Sequence, residues 1–179
     1  MKKTTNYLFV ISLLFLLIII NNMFKPIYKT LQILFVSIFI NIALYGQTYK
    51  GVVIRVVDGD TFVFQTTEGS FKVRMLAIDA PEHDQPYGEE SKVFLMQFLN
   101  KAARLESTGL DKYGRHLAFL FVDQENVNLL SVKTGNAWHY QHYNNDEKFI
   151  QAELYARKLK LGLWKDPNPV APWDWRHNK

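Results

Sequence analysis

The chain contains no cysteine, which excludes disulfides, zinc–thiolate centres and thiol nucleophiles. Its stability must come from packing, and 13 Phe, 9 Tyr and 4 Trp supply apolar surface for that purpose. Acidic residues are missing from the first 46 positions, whose only charged side chains are Lys2, Lys3, Lys25 and Lys29. Of the 21 Lys and Arg, these four account for the whole formal net charge of +4, and the 17 that remain balance the 17 Asp and Glu. Beyond the N-terminal segment the chain is therefore formally neutral. The high overall pI thus says nothing about affinity for anionic polymers. Any grip on phosphate has to come from local arrangement, with a bound cation as the natural helper. No internal repeat is present.

Two dense apolar runs occupy the N-terminal segment, Tyr7–Ile20 and Leu31–Tyr45. Neither reaches the roughly 18–20 residues of a membrane span. The second resembles the apolar region of a signal peptide. Lys25 and Lys29 precede it, and it ends in Ala43-Leu-Tyr-Gly46-Gln47, where small residues admit a peptidase. Met23 stands just before this unit and is a natural start, with the first 22 residues an upstream extension. A hairpin of both runs would place Lys25 and Lys29 outside the cytoplasm, against the positive-inside tendency. The expected organisation is residues 1–46 as a signal peptide, or alternatively a membrane anchor, and residues 47–179 as one domain. The expected location is secreted or periplasmic, or else the membrane surface through the uncleaved segment.

Within the domain, Tyr49–Val57, Thr61–Thr66 and Phe71–Ile78 have strand composition and are separated by the turn signals Asp58-Gly59 and Glu68-Gly69. Pro81–Gly88 reads as a loop. Glu89–Asn100 carries Phe94, Leu95, Phe98 and Leu99 at helical spacing. Ala103–Leu110 and Leu117–Val122 are further strands flanking the turn Lys112-Tyr-Gly-Arg115. Asn126–Thr134 and Asp146–Leu161 read as helices stopped by Gly135 and Gly162. The Pro- and Trp-rich tail, Pro167–Lys179, is expected to pack as irregular structure. Three strands, a helix, two strands and two more helices predict an α+β protein built on a five-stranded β-barrel with three helices, for which the OB-fold is the leading candidate. Such a barrel brings residues from strands two, three and five to one mouth.

Three segments carry the chemistry: Asp58-Gly-Asp60-Thr61, Arg74-Met-Leu-Ala-Ile-Asp79-Ala-Pro-Glu82 and Asp111-Lys-Tyr-Gly-Arg115. Asp60 and Asp79 stand at the start of one strand and the end of another, where two carboxylates suit a hard cation such as calcium. Asp58 is equally readable as part of an Asp-Gly turn. Arg74 lies among Val73, Leu76 and Ile78, and a charge in such a strand needs a partner. It could be a structural ion pair or a two-pronged grip on phosphate oxygens. Arg115, at a turn tip, could approach the same phosphate. Glu82, three residues beyond Asp79, could accept a proton from water. His83 is a weaker rival for that role, and the His139/His142 pair reads as packing rather than metal ligation.

In order and spacing these segments resemble the thermonuclease, or staphylococcal-nuclease-like, family, over almost all of Tyr49–Trp164. The resemblance implies a calcium-dependent endonuclease acting on DNA and RNA and leaving 3′-phosphates. It implies that Asp60, Asp79 and the backbone carbonyl of Ala80 hold Ca2+, that Glu82 is the general base, and that Arg74 and Arg115 bind the phosphate. Lys112 and Tyr113 would contact a terminal phosphate and Tyr143 the bound nucleotide. Gln141 stands where the family commonly has a second pocket tyrosine, and His116 where a smaller residue is common. The rival expectations are a non-catalytic OB-fold module that only binds nucleic acid, and a phosphodiesterase for small nucleotides. No protein partner is implied.

Overall fold

A computed structural model of the protein describes residues 12–30, apart from Leu17, Met23 and Pro26, and residues 46–177. The chain divides into two compact units, Met1–Tyr45 and Gly46–Lys179. In the first, helix α1 (Ser12–Thr30) has a mean hydropathy of 1.2 and is long and apolar enough to cross a membrane, a test that a signal sequence near an N-terminus also passes. The helix takes in most of the first apolar run and extends beyond it. It continues past Ile20 through Lys25 and Lys29, because Asn21 and Asn22 lower the hydropathy without breaking a helix. Met23, the second apolar run and the expected cleavage stretch up to Tyr45 lie outside the described residues.

The second unit is a closed five-stranded barrel with helices around it. The strands are β1 (Gln47–Val56), β2 (Thr61–Thr66), β3 (Gly69–Met75), β5 (Ala102–Leu110) and β6 (His116–Val122), with the short β4 (Ile78–Asp79), β7 (Glu125–Asn126) and β8 (Trp138–His139) outside the barrel. Their order is β3-β2-β1-β5-β6, and β3 closes onto β6 in parallel through Val73↔His116, Arg74↔Leu117 and Met75↔Ala118. The inward positions alternate along β3 and β6, as a pleated barrel requires. Val53, Phe62, Phe64, Val73, Leu105, Ala118 and Leu120 have no exposed surface. Each large apolar side chain so buried stabilises the fold by roughly 1.5–3 kcal/mol relative to exposure.

Helices α2 (Gly88–Met96), α3 (Val127–Lys133) and α4 (Glu147–Lys158) cover the barrel. Asn126 and Asp146 cap the last two, accepting from the Leu129 and Lys148 amides respectively. Phe149, Ala152 and Ala156 form the buried stripe of α4. Helix α2 stops at Met96, earlier than its apolar spacing predicts. Phe98 and Leu99 instead lie in a turn whose end, Asn100, donates its amide to the Val53 carbonyl at 2.8 Å. The tail is not wholly irregular, since a short helix α5 (Pro172–His177) follows the 3-10 turn Gly162–Lys165.

The third strand also ends early, at Met75 rather than Ile78, and this break creates the site. Leu76 still donates its amide to the Ala118 carbonyl at 2.9 Å, but its own carbonyl is taken by the fully buried Asn128 amide at 2.9 Å. Asn128 bonds the Ala118 carbonyl and the Leu120 amide as well. Ala77 then turns the chain with φ 66°, and Ile78 and Asp79 leave β6 to pair with His139 and Trp138. The chain thus swings Asp79 away from the barrel wall and across its mouth.

Candidate active site

Asp60 and Asp79 are brought together by backbone contacts on both sides. The Asp60 carbonyl accepts the Met75 amide at 2.8 Å. Its carboxylate accepts the Ala80 amide at 2.8 Å and the Thr61 hydroxyl at 3.1 Å. Asp58 supports this turn by accepting the Asp60 amide at 3.1 Å. Gly59 is required here by close approach, since a Cβ at that position would stand 2.0 Å from the Ser91 hydroxyl on α2. Asp60 and Asp79 are both buried, at 4% and 1% exposure, so each needs compensating charge.

Arg74 supplies much of that charge. One arm of its guanidinium pairs with Asp60. The other donates to Asp79 Oδ1 at 2.6 Å. Burial lowers the Arg74 pKa from the usual guanidinium value, against the opposing pull of Asp79. Burial likewise pushes the Asp58 carboxyl up, with Arg74 opposing it.

Arg115 comes from the turn that precedes β6. Asp111 organises that turn, accepting the Tyr113 and Arg115 amides at 2.9 Å each and the Arg115 Nε–H at 2.7 Å. Gly114, at φ 76°, supplies the left-handed step. Desolvation acts to raise the Asp111 pKa, but the hydrogen bonds from Arg115 and Tyr113 outweigh it and hold the carboxyl below its ordinary value. A carboxyl with a depressed folded pKa contributes stability above the ordinary carboxylate range and loses it as pH falls through the folded value. Asp111→Asn is therefore expected to be less stable than wild type near neutral pH, with the gap narrowing in acid. Urea midpoints at about pH 7 and about pH 3 would check this, and a gap independent of pH would refute it.

Glu82 sits on a loop fixed at several points. Its amide donates to the Gln85 side chain at 3.1 Å, and its carbonyl accepts the Gln85 amide at 2.9 Å. A Cβ at Gly88 would lie 1.9 Å from that same carbonyl, so the loop and the start of α2 are in contact.

These elements enclose a cavity of about 300 Å³ lined by Asp58, Asp60, Thr61, Arg74, Asp79, Ala80, Pro81, Glu82, Tyr113, Arg115 and Arg176. Of the residues read from sequence, Asp60, Arg74, Asp79, Ala80, Glu82, Tyr113 and Arg115 meet there. Lys112 and Tyr143 are not among the lining residues. Lys112 lies against the Tyr113 ring, its Nζ 5.0 Å from the centroid, and Tyr143 is 71% exposed beside Tyr140 and His142. His83 lies outside as well, on the surface beside Glu89. Sequence reasoning missed Arg176, whose guanidinium contacts both Asp79 and Glu82. Hydrogen bonding to Asp79, joined by Glu82, raises its pKa against the effect of burial.

The donor set fits a hard divalent cation. It is all oxygen, and the two buried carboxylates already converge on one positive group, Arg74. Among the described residues no three acidic or histidine side chains form a metal cluster, so backbone oxygen or water would have to complete the shell. Four carboxyl groups and three guanidiniums share the cavity, which leaves room in the charge balance for both a divalent cation and a phosphodiester.

Comparison with known proteins places the chain in a family. The family described as "Staphylococcal nuclease homologue" matches residues 72–166. A Haemophilus influenzae protein named "Uncharacterized endonuclease" is 40% identical over 129 residues, covering 71% of this chain and 72% of its own. An Escherichia coli O157:H7 protein of the same name is 39% identical over 131 residues, covering 72% and 86%. The "Micrococcal nuclease" of Shigella flexneri is 32% identical over 140 residues, covering 72% and 80%. With its barrel closed by β3 on β6 and this degree of likeness to nucleases along most of its length, the chain belongs to the staphylococcal nuclease homologue family.

Proposed function

We propose that the protein is a calcium-dependent endonuclease that hydrolyses phosphodiester bonds in DNA and RNA and leaves 3′-phosphates. The observation that carries this reading is one cavity in which Asp60, Asp79 and Glu82 meet Arg74 and Arg115. Asp60, Asp79 and the Ala80 carbonyl would hold the cation. Bound there, calcium supplies Lewis-acid polarisation of a phosphate oxygen. Arg74 and Arg115 bind the equatorial phosphate oxygens through their planar forks and stabilise the charge that grows on them. Glu82 takes a proton from the water that attacks phosphorus. The new P–O bond forms as the bond to the 5′-oxygen breaks, and that oxygen takes up a proton from solvent. Tyr113, which lines the cavity, would contact a terminal phosphate. Lys112 and Tyr143 would contact a longer substrate beyond the cavity.

The grip on phosphate comes from the arginines gathered in the cavity. Two protein carboxylates favour weak calcium binding, on the order of 10⁻⁴–10⁻³ M, in the range of extracellular modules. The reading therefore includes export, with the N-terminal segment removed as a signal or kept as an anchor. Digestion of single-stranded DNA, RNA and a dinucleotide by the purified protein, with calcium or with excess chelator, tests it. Cleavage of the long polymers that stops in chelator is expected. Undiminished activity in chelator would overturn the cation assignment, and turnover of the dinucleotide alone would overturn the endonuclease assignment.

A further inference from the structure

A third arginine enters the cavity from the last turn of the chain's final helix. Pro172 opens α5 at a position where its missing amide costs nothing. The segment is then pinned at several independent points. The Val170 carbonyl accepts the Gln85 side chain at 2.7 Å. Trp173 stacks on Tyr140 with ring centroids 5.2 Å apart and meets Trp138 edge-on at 5.5 Å. Ala171 is buried at 5% exposure. So fixed, the helix delivers Arg176 to both acids. Its Nη2 donates to Asp79 Oδ2 at 2.8 Å, and its Nη1 donates to Asp79 Oδ1 at 3.3 Å and Glu82 Oε1 at 2.6 Å.

Both Asp79 oxygens are thereby engaged, Oδ1 by Arg74 and Arg176 and Oδ2 by Arg176. A cation ligated by Asp79 competes with the two arginines for these oxygens. Arg74 is held within β3, its side chain is 16% exposed, and it also serves Asp60. Arg176 is 43% exposed on a six-residue helix and is the one free to withdraw. The same guanidinium donates to Glu82 Oε1, so that oxygen is occupied while Arg176 is in place.

We propose that Arg176 is an internal cation of this site, one that competes with the divalent cation for Asp79 and whose displacement frees Glu82 in the same movement. The proposal rests on the reading of Asp60 and Asp79 as cation ligands. Cation binding and the availability of the proton acceptor become one equilibrium, set by how firmly α5 is docked. Arg176 acts here as a positioning residue through Asp79 and Glu82.

Calcium titration of the purified protein by calorimetry, with no nucleic acid present, reads this directly. Arg176→Gln removes the competitor, and its affinity for calcium is expected to rise by roughly three- to tenfold, the worth of a partly exposed charged hydrogen-bond pair. Arg176→Lys, which keeps the charge but cannot bridge both carboxylates, should fall between that variant and wild type. It also serves if the glutamine variant fails to fold. A residue that merely held the tail in place would leave calcium affinity unchanged or weaken it, so either result in both variants overturns the proposal. Asp60→Asn separates the two levels of the argument. If wild type binds calcium and Asp60→Asn does not, the cation site stands whatever Arg176 does. If wild type binds none, both readings fall.

Discussion

Glu82→Gln is expected to lower turnover by roughly 10²–10⁴ while leaving calcium-dependent nucleotide binding nearly intact. Glutamine keeps the shape and one acceptor oxygen but cannot take a proton, and the loss of a positioned base typically costs that much in rate. The loop should tolerate the change, because Gln85 holds it through the Glu82 backbone and glutamine keeps an oxygen that can accept from Arg176. His83→Ala provides the control. The His83 side chain is 78% exposed and 3.7 Å from Glu89, and it does not line the cavity, so its removal should be nearly silent. Steady-state turnover and nucleotide affinity of both variants at saturating calcium decide the point. A dead His83→Ala beside an active Glu82→Gln would reverse the assignment.

Arg74→Lys should be nearly as damaging, and in two ways at once. Lysine is a point charge that cannot reach Asp60 and Asp79 with separate arms, and it cannot present a fork to phosphate. Activity should drop on the order of 10²–10³, the usual effect of removing one donor that acts on transition-state charge. Stability should fall by roughly 1–3 kcal/mol, because a buried carboxylate loses its hydrogen-bond partner. Arg115→Lys makes the contrast. Arg115 pairs with Asp111 on a turn rather than with the two buried acids, so its loss should cost activity with little change in melting temperature. An Arg74→Lys protein within about twofold of wild-type turnover would mean that the guanidinium serves the fold alone.

Much of this site could be read before any coordinates, because its parts are local. Asp58-Gly-Asp60 is a turn, Asp111–Arg115 is a turn, and the Asp79–Glu82 stretch is stiffened by Pro81, so short-range chemistry sets each one. The barrel followed from alternation in the strands and the glycines between them. What could not be read was decided by contacts distant in sequence. The early end of β3 depends on Asn128, a helix residue that takes the Leu76 carbonyl. No periodicity in residues 71–78 signals that capture. Arg176 was hidden for the same reason. Proline followed by Trp173 and Trp175 suggests packing, and only the register of Trp173 against Trp138 and Tyr140 directs the arginine to Asp79. Tyr143 and Lys112 show the converse, since a matching motif position does not carry its side chain into the cavity.

The parallel seam between β3 and β6 spans only three residue pairs, yet both sequence-read arginines depend on it. Arg74 is one of the paired residues, and Arg115 immediately precedes another, His116. The seam joins segments well separated in the chain, as the β1–β5 pairing does, and contacts of that kind carry a loop-closure cost during folding. The pair of forks therefore comes into being with ring closure and not before it. A chain whose ring is open carries the same reactive residues without that juxtaposition.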